Sequence, residues 1–334
     1  MPRFWPLAFC IWPLPSKLVW ASMGIAHHFM YHLRLRICEM MIISGPASRG
    51  LGEAVARSLG VESHPVEHRL FPDGESYIRF TVDLKDETIV ILQTTAPEPD
   101  RKLVQLLIMA RAAKEYGAKR VIACVPYLAY MRQDKVFLEG EALSFDIVLS
   151  LLEDSGVEEL LVVDLHSVES LKRIQSNHRI RVHTLSAIPV IARYLKVHGY
   201  DSAYSLSPDE GRKDIVEAAS KVLGGGFAFF EKIRDRHTGE TRIKVKDVDV
   251  KGRRAVVFDD IISSGGTMAK AIRGLKDQGA SLVAAACTHA LFMQGAEKRL
   301  RDAGADVILA TDTVESVHSV VSVAGLLAER LRSL

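Results

Sequence analysis

With 334 residues, 48% of them hydrophobic and 25% charged, the chain has the length of two ordinary domains and the composition of a globular protein. A formal net charge of +2, with Lys and Arg scattered over helical patterns, lacks the basic stripe of a nucleic-acid binder. The four cysteines (Cys10, Cys38, Cys124, Cys287) have no metal-ligand spacing, and two of them sit in apolar runs, as expected of buried, reduced thiols in a cytoplasmic protein.

Residues 1–40 differ from the rest. They hold all three tryptophans (Trp5, Trp12, Trp20), four prolines and three histidines. Arg3, Lys17, Arg34 and Arg36 face a single acid there, Glu39, so the remainder of the chain is close to neutral. The apolar run from Phe4 to Trp20 is broken by Pro6, Pro13, Pro15 and Lys17, whereas a spanning helix wants about 20 uninterrupted apolar residues. No small-residue cleavage site follows it cleanly. The stretch 1–40 is read as an unstructured extension or a start assigned too early; a genuine peripheral extension is the other reading. No membrane partner is expected.

From Met41 onward, apolar β-rich runs predict strands at 41–44, 88–93, 120–126, 159–164, 203–206, 254–258, 282–287 and 307–310. Helical periods fall between many of them, at 100–116, 142–154, 187–197, 210–222, 266–278 and 293–303. Near-continuous apolar strands alternating with helices predict an α/β fold of mainly parallel sheets covered by helices on both faces. Gly45, Gly50 and Gly52 lack the spacing of a dinucleotide fingerprint, and no Gly-Lys-Ser/Thr phosphate loop occurs.

Residues 255–267 carry the most chemistry. The apolar run Ala255–Phe258 is followed by Asp259 and Asp260 at the expected carboxyl end of the strand. Ser263, Ser264, Gly265, Gly266 and Thr267 then lead into a helix. Glycines let the backbone approach an anion, and converging N–H groups at a helix N-terminus favour phosphate. Carboxylates beside a phosphate need other partners, such as ribose hydroxyls or a divalent cation. The joint reading is a sugar-phosphate site, although turn and cap chemistry uses the same residue types.

Three further stretches could hold a nucleotide. Phe71-Pro-Asp-Gly-Glu offers an aromatic ring and two acids, Asp73 and Glu75, but taken alone reads as a surface turn. Arg132 and Gln133 leave a strand in a polar loop, where a guanidinium fork suits phosphate and an amide suits base or ribose. Asp164 and His166 end another strand on one side, a placement that suits a metal or triphosphate ligand better than a lone histidine would.

The strings FPDGE (71–75), PYLAYMRQD (126–134), VVDLH (162–166), SPDEG (207–211), FFEKIRD (229–235) and VVFDDIISSGGT (256–267) occur in the order and spacing of ribose-phosphate diphosphokinases. The chain resembles that family, in wording most like archaeal members, over residues 41–334. Ser263 stands where many relatives of the phosphoribosyltransferase superfamily carry a third Asp in this loop.

The resemblance implies two tandem phosphoribosyltransferase-like domains, at 41–183 and 184–314, with 315–334 returning to the first. It implies diphosphoryl transfer from ATP to the anomeric hydroxyl of ribose 5-phosphate, with Mg2+ as cofactor and a cytoplasmic homo-oligomer, dimer or hexamer, carrying ATP sites at subunit interfaces. By resemblance, Phe71, Asp73 and Glu75 hold adenine, and Arg132, Gln133 and Asp134 the ATP ribose and phosphates. His166 holds the ATP-bound metal, and Asp209 a second metal and the sugar. Asp259 and Asp260 face the ribose hydroxyls, with Ser263, Ser264, Gly265, Gly266 and Thr267 on the 5-phosphate. Lys232 and Arg234 stabilise the transition state at the base of a flap spanning 235–240. A phosphoribosyltransferase and a non-catalytic regulatory relative are the alternatives; the RQD and DLH motifs argue against the first, and the intact His166, Lys232 and Arg234 against the second.

Overall fold

Every apolar run expected to form a strand does so, and most are buried on both faces. The computed structural model describes residues 40–208, 212–234, 241–244, 248–293 and 295–334, with 231–234 and 241–244 described by backbone only. Residues 1–39, Asp209, the flap tip 235–240 and the side chains of Lys232 and Arg234 lie outside the described residues.

The first half contains β1 (Met40–Ser44), α1 (Arg49–Leu59), β2 (Ser63–Pro65), β3 (Glu67–Leu70), β4 (Ser76–Arg79), β5 (Thr88–Leu92) and α2 (Pro99–Glu115), followed by β6 (Arg120–Cys124), α3 (Ser144–Asp154), β7 (Glu159–Val163), α4 (Val168–Ile174) and β8 (Arg181–Leu185). Six strands pair in the order β2-β1-β5-β6-β7-β8, all parallel, while β3 and β4 form a separate antiparallel hairpin.

The second half contains α5 (Ile188–Leu195), β9 (Tyr204–Ser207), α6 (Lys213–Leu223), β10 (Phe227–Phe229), β11 (Glu231–Arg234), β12 (Thr241–Lys244) and β13 (Arg254–Ile262), followed by α7 (Gly266–Asp277), β14 (Leu282–Ala290), α8 (Ala296–Asp302), β15 (Val307–Thr311), β16 (Ser319–Val321) and α9 (Ala324–Arg332). Its sheet runs β10-β9-β13-β14-β15-β16, again all parallel, with β11 and β12 as the separate hairpin. The two halves thus share one strand order and one point of hairpin insertion.

The alternation of side chains along β13 explains how one sheet buries two layers. Ala255 and Val257 pack in a core with Ile272 and Leu275 of α7, while Val256 and Phe258 pack with Ile191 of α5 and Val216 of α6. Cys124 and Cys287 are free and fully buried, and burial pushes the Cys124 thiol up to about 12.

The first sheet ends at Leu185, paired with Val163, so the 183/184 division falls inside β8. Within 315–334, Ser319–Val321 pairs in the second sheet. The last helix, α9, packs along α1, with Arg332 donating to the Ser58 carbonyl. Arg120 donates to the Leu334 carbonyl at 3.2 Å, fixing the same end of the chain.

Candidate functional site

The carboxyl ends of β7 and β13, one from each sheet, come together. Beyond β7, Ser167 caps α4 by accepting from the Ser170 N–H, and His166 sits just before this cap. The His166 ring is partly exposed, and its Nδ1 lies 2.9 Å from Oδ2 of Asp260 on β13, 94 residues away.

Arg212, immediately before α6, completes the cluster. Its Nη2 donates to Asp260 Oδ2 and lies 2.7 Å from His166 Nδ1. Burial pushes the Asp260 carboxyl up, but the His166 hydrogen bond and the Arg212 charge outweigh it and hold the group below the ordinary carboxylate range. Its neighbour Asp259 is driven the other way, by burial and then by the negative charge of Asp260.

The acidic pair lies inside β13 rather than after it, which corrects the expected strand end at Phe258. The two carboxyls stay in hydrogen-bond contact with each other, and Asp259 Oδ1 also accepts from the Asp260 N–H at 3.0 Å, but their outer partners differ. Asp260 joins His166 and Arg212, whereas Asp259 lines the cavity at the glycine loop. That cavity, about 270 Å³, is bounded by Ser263, Ser264, Gly265, Gly266 and Thr267 and also by Arg132 from the first half. Gly265 adopts φ 71°, the left-handed conformation a side chain disfavours, and hands the chain to α7 at Gly266. Arg299 of α8 donates to the Ser264 carbonyl and braces the loop from behind.

A second cavity, about 650 Å³, lies on the His166 side and is lined by Ser167, Glu169, Arg212, Lys213 and Glu217 among others. Asp164 belongs to neither of these two linings. It turns the chain at φ 40°, accepts from the Ala187 N–H at 2.9 Å and from the Thr288 hydroxyl, and is partly buried; desolvation raises its carboxyl against those bonds. Asp164 instead lines the adjoining cavity, about 230 Å³, which shares Leu165, Val168 and Arg212 with the one that His166 lines.

Of the other expected residues, Gln133 donates to its own loop at Lys135 O (3.0 Å), and Asp134 accepts from Ser170 of α4. Phe71, Asp73 and Glu75 cluster at the tip of the β3–β4 hairpin, where Asp73 accepts from the Glu75 N–H and Phe71 meets Tyr77 edge-on at 6.1 Å. They line neither cavity. Arg212 escaped the sequence reading because its partners are 46 and 48 positions distant; its one local signal is a cation directly after the SPDEG string.

Among the described residues, no three His, Cys, Asp or Glu side chains gather as a metal cage. Among the described residues, no helix is long and apolar enough to cross a membrane.

Comparison with known proteins identifies the family. The family profile for the N-terminal domain of ribose phosphate pyrophosphokinase matches residues 40–156, and the profile for the phosphoribosyl transferase domain matches 214–326. A ribose-phosphate pyrophosphokinase of Saccharolobus solfataricus is 39% identical over 82% of this chain and 93% of its own. One from Methanothermobacter thermautotrophicus is 39% identical over 87% of this chain and 100% of its own. The crystal structure of phosphoribosylpyrophosphate synthetase from Mycobacterium smegmatis superposes with a TM-score of 0.77 at 31% identity, covering 88% of this chain and 98% of that one. Matched over both halves in sequence and in fold, the chain belongs to the ribose-phosphate pyrophosphokinase family.

Proposed function

We propose that this chain moves the β,γ-diphosphoryl group of ATP to the anomeric hydroxyl of ribose 5-phosphate, releasing AMP, and that it does so where β7 and β13 meet. The observation that carries this reading is the 2.9 Å approach of His166 to Asp260, which sets the DLH motif of one half against the sugar-phosphate motif of the other.

On this reading the backbone N–H groups of Ser264 to Thr267 and the start of α7 hold the 5-phosphate, with Arg132 facing it across the cavity. Asp259 then accepts from ribose hydroxyls. The nucleotide lies on the His166 side, where Arg212 and Lys213 supply positive charge to its phosphates. Phe71, Asp73 and Glu75 take the adenine of a nucleotide bound to a neighbouring copy. Gln133 and Asp134 support the ATP loop, and Asp209 the sugar.

The donor set fits Mg2+: an imidazole and a carboxylate already converge on one cation, the Arg212 guanidinium. Magnesium usually keeps waters and substrate phosphates as ligands, so a full protein cage is not required. Once bound, it would neutralise charge on the transferring diphosphoryl group. Lys232 and Arg234 stabilise that charge as the ribose hydroxyl attacks the β-phosphorus and the bond to the α-phosphate oxygen breaks. On this reading the antiparallel β11–β12 hairpin carries them, and its role is to exclude water that would compete with the sugar.

Self-association is part of the proposal. Val104 and Ile108 of α2, and Ile147 and Leu151 of α3, are exposed apolar residues on two neighbouring helices. The enzyme is placed in the cytoplasm. The testing experiment incubates the full chain with ATP and ribose 5-phosphate and measures AMP. AMP that forms only when both substrates and Mg2+ are present supports the reading; AMP formation independent of ribose 5-phosphate, or none, contradicts it.

A further inference from the structure

His166 Nδ1 and Asp260 Oδ2 are 2.9 Å apart, and one nitrogen, Arg212 Nη2, lies within hydrogen-bond reach of both. Ordinary arginine–carboxylate pairing uses two nitrogens on two oxygens. Here a single N–H nitrogen sits between a ring nitrogen and a carboxylate oxygen. Nδ1 can accept from Arg212 or donate to Asp260, but one lone pair cannot do both. Guanidinium is always charged and only donates, so Nδ1 accepts from it in one tautomer and donates to Asp260 in the other. A lone pair and a carboxylate oxygen converging on one point also make a cation site.

Among the described residues Asp260 is the one carboxylate paired with Arg212, whose side chain is 15% exposed. Arg212 also lines the large cavity beside His166 and a smaller one, about 230 Å³, behind it near Ser186 and Ile215, which gives its side chain somewhere to turn.

We propose that Arg212 is the resident counter-cation of the His166–Asp260 pair and is exchanged for a divalent cation when the metal nucleotide enters. This rests on the reading of His166 as a metal-holding residue. Without nucleotide, a divalent cation must displace a charge-assisted contact to reach either ligand and gains nothing for the guanidinium it expels. A cation arriving on a triphosphate brings the oxygens that the freed Arg212 can bind. The exchange therefore favours metal with nucleotide over metal alone.

The test uses Mn2+ as the probe, its free concentration read by electron paramagnetic resonance, with the full chain and no nucleotide. Arg212→Met and Arg212→Gln should each tighten Mn2+ binding at least about tenfold over the unmodified protein. That gain should vanish when either is combined with His166→Ala. Circular dichroism melting of both Arg212 variants identifies one that is folded for the comparison. With a non-hydrolysable ATP analogue present, the same variants should bind the Mn2+ complex more weakly than the unmodified protein. Unchanged or weaker affinity for Mn2+ alone in the folded Arg212 variants, with binding still lost on His166→Ala, would overturn the exchange and leave the metal role of His166 standing. If His166→Ala did not weaken Mn2+ binding in any background, the metal reading of His166 would fail and the exchange with it.

Discussion

His289 on β14 and Val163 at the end of β7 meet across the two sheets, with Nε2 of the ring 3.0 Å from the Val163 carbonyl oxygen. The other ring nitrogen lies 2.9 Å from the Thr313 hydroxyl, and Tyr127 packs against the ring edge-on at 4.9 Å. The strand that delivers His166 is thus anchored from the opposite half. His289→Ala leaves a buried carbonyl and a buried hydroxyl without this partner and opens a cavity. A loss of about 3 kcal/mol is expected. Urea unfolding measures it; a change below about 0.5 kcal/mol would show that the anchor contributes little.

The same residue makes stability depend on pH. Burial pushes His289 down to about 4 from an ordinary value of 6.5. Above about 6.5 the ring is neutral in folded and unfolded chains alike, and its contribution is fully present. As pH falls from 6.5 towards 4, the unfolded chain takes up a proton that the folded one refuses, and stability falls by about 1.4 kcal/mol per unit at most. Melting temperatures of the unmodified protein and of His289→Gln between pH 7 and pH 4.5 isolate the effect. The unmodified protein should lose more over this window than the variant; equal slopes would exclude His289 as the source.

Much of this fold was legible in the sequence because its central strands are nearly continuous apolar runs. Less legible were the pieces whose identity depends on their neighbours. Arg181–Leu185 reads as polar, yet it pairs in parallel along β7, where Arg181 and His183 both turn to the buried Glu159. Arg49–Leu59 contains two glycines and went unread as a helix, yet Gly52 is required there: a Cβ would run into Ser44 Oγ. At the site, the loop 263–267 could be read because its chemistry is local. The partners of Asp260 and the place of Arg212 depend on contacts between distant segments and could not.

Gly265 joins conformation to binding. A side chain there must adopt φ 71° and would reach contact with Leu300 at 3.4 Å, in a loop that lines the cavity. Gly265→Val should weaken ribose 5-phosphate binding at least about tenfold and leave ATP binding close to normal. Calorimetric titration of each substrate separates the two sites. Loss of ATP affinity with the sugar phosphate unaffected would reverse their assignment.

Lys232 is proposed to act on the charge that develops during transfer. Lys232→Ala should therefore lower kcat at least about 100-fold with little change in the KM for ATP. Steady-state kinetics at saturating ribose 5-phosphate reads this. A near-normal kcat with a raised KM would make Lys232 a ground-state binding residue instead.

Whether an intact diphosphoryl group reaches the sugar is read by 31P nuclear magnetic resonance of the reaction with ATP, ribose 5-phosphate and Mg2+. Equal amounts of AMP and a sugar carrying one monophosphate and one diphosphate are expected, with neither ADP nor free diphosphate as a primary product. ADP with a ribose bisphosphate would mean transfer of a single phosphoryl group, and AMP with free diphosphate would mean hydrolysis; either result would rule out diphosphoryl transfer to the sugar.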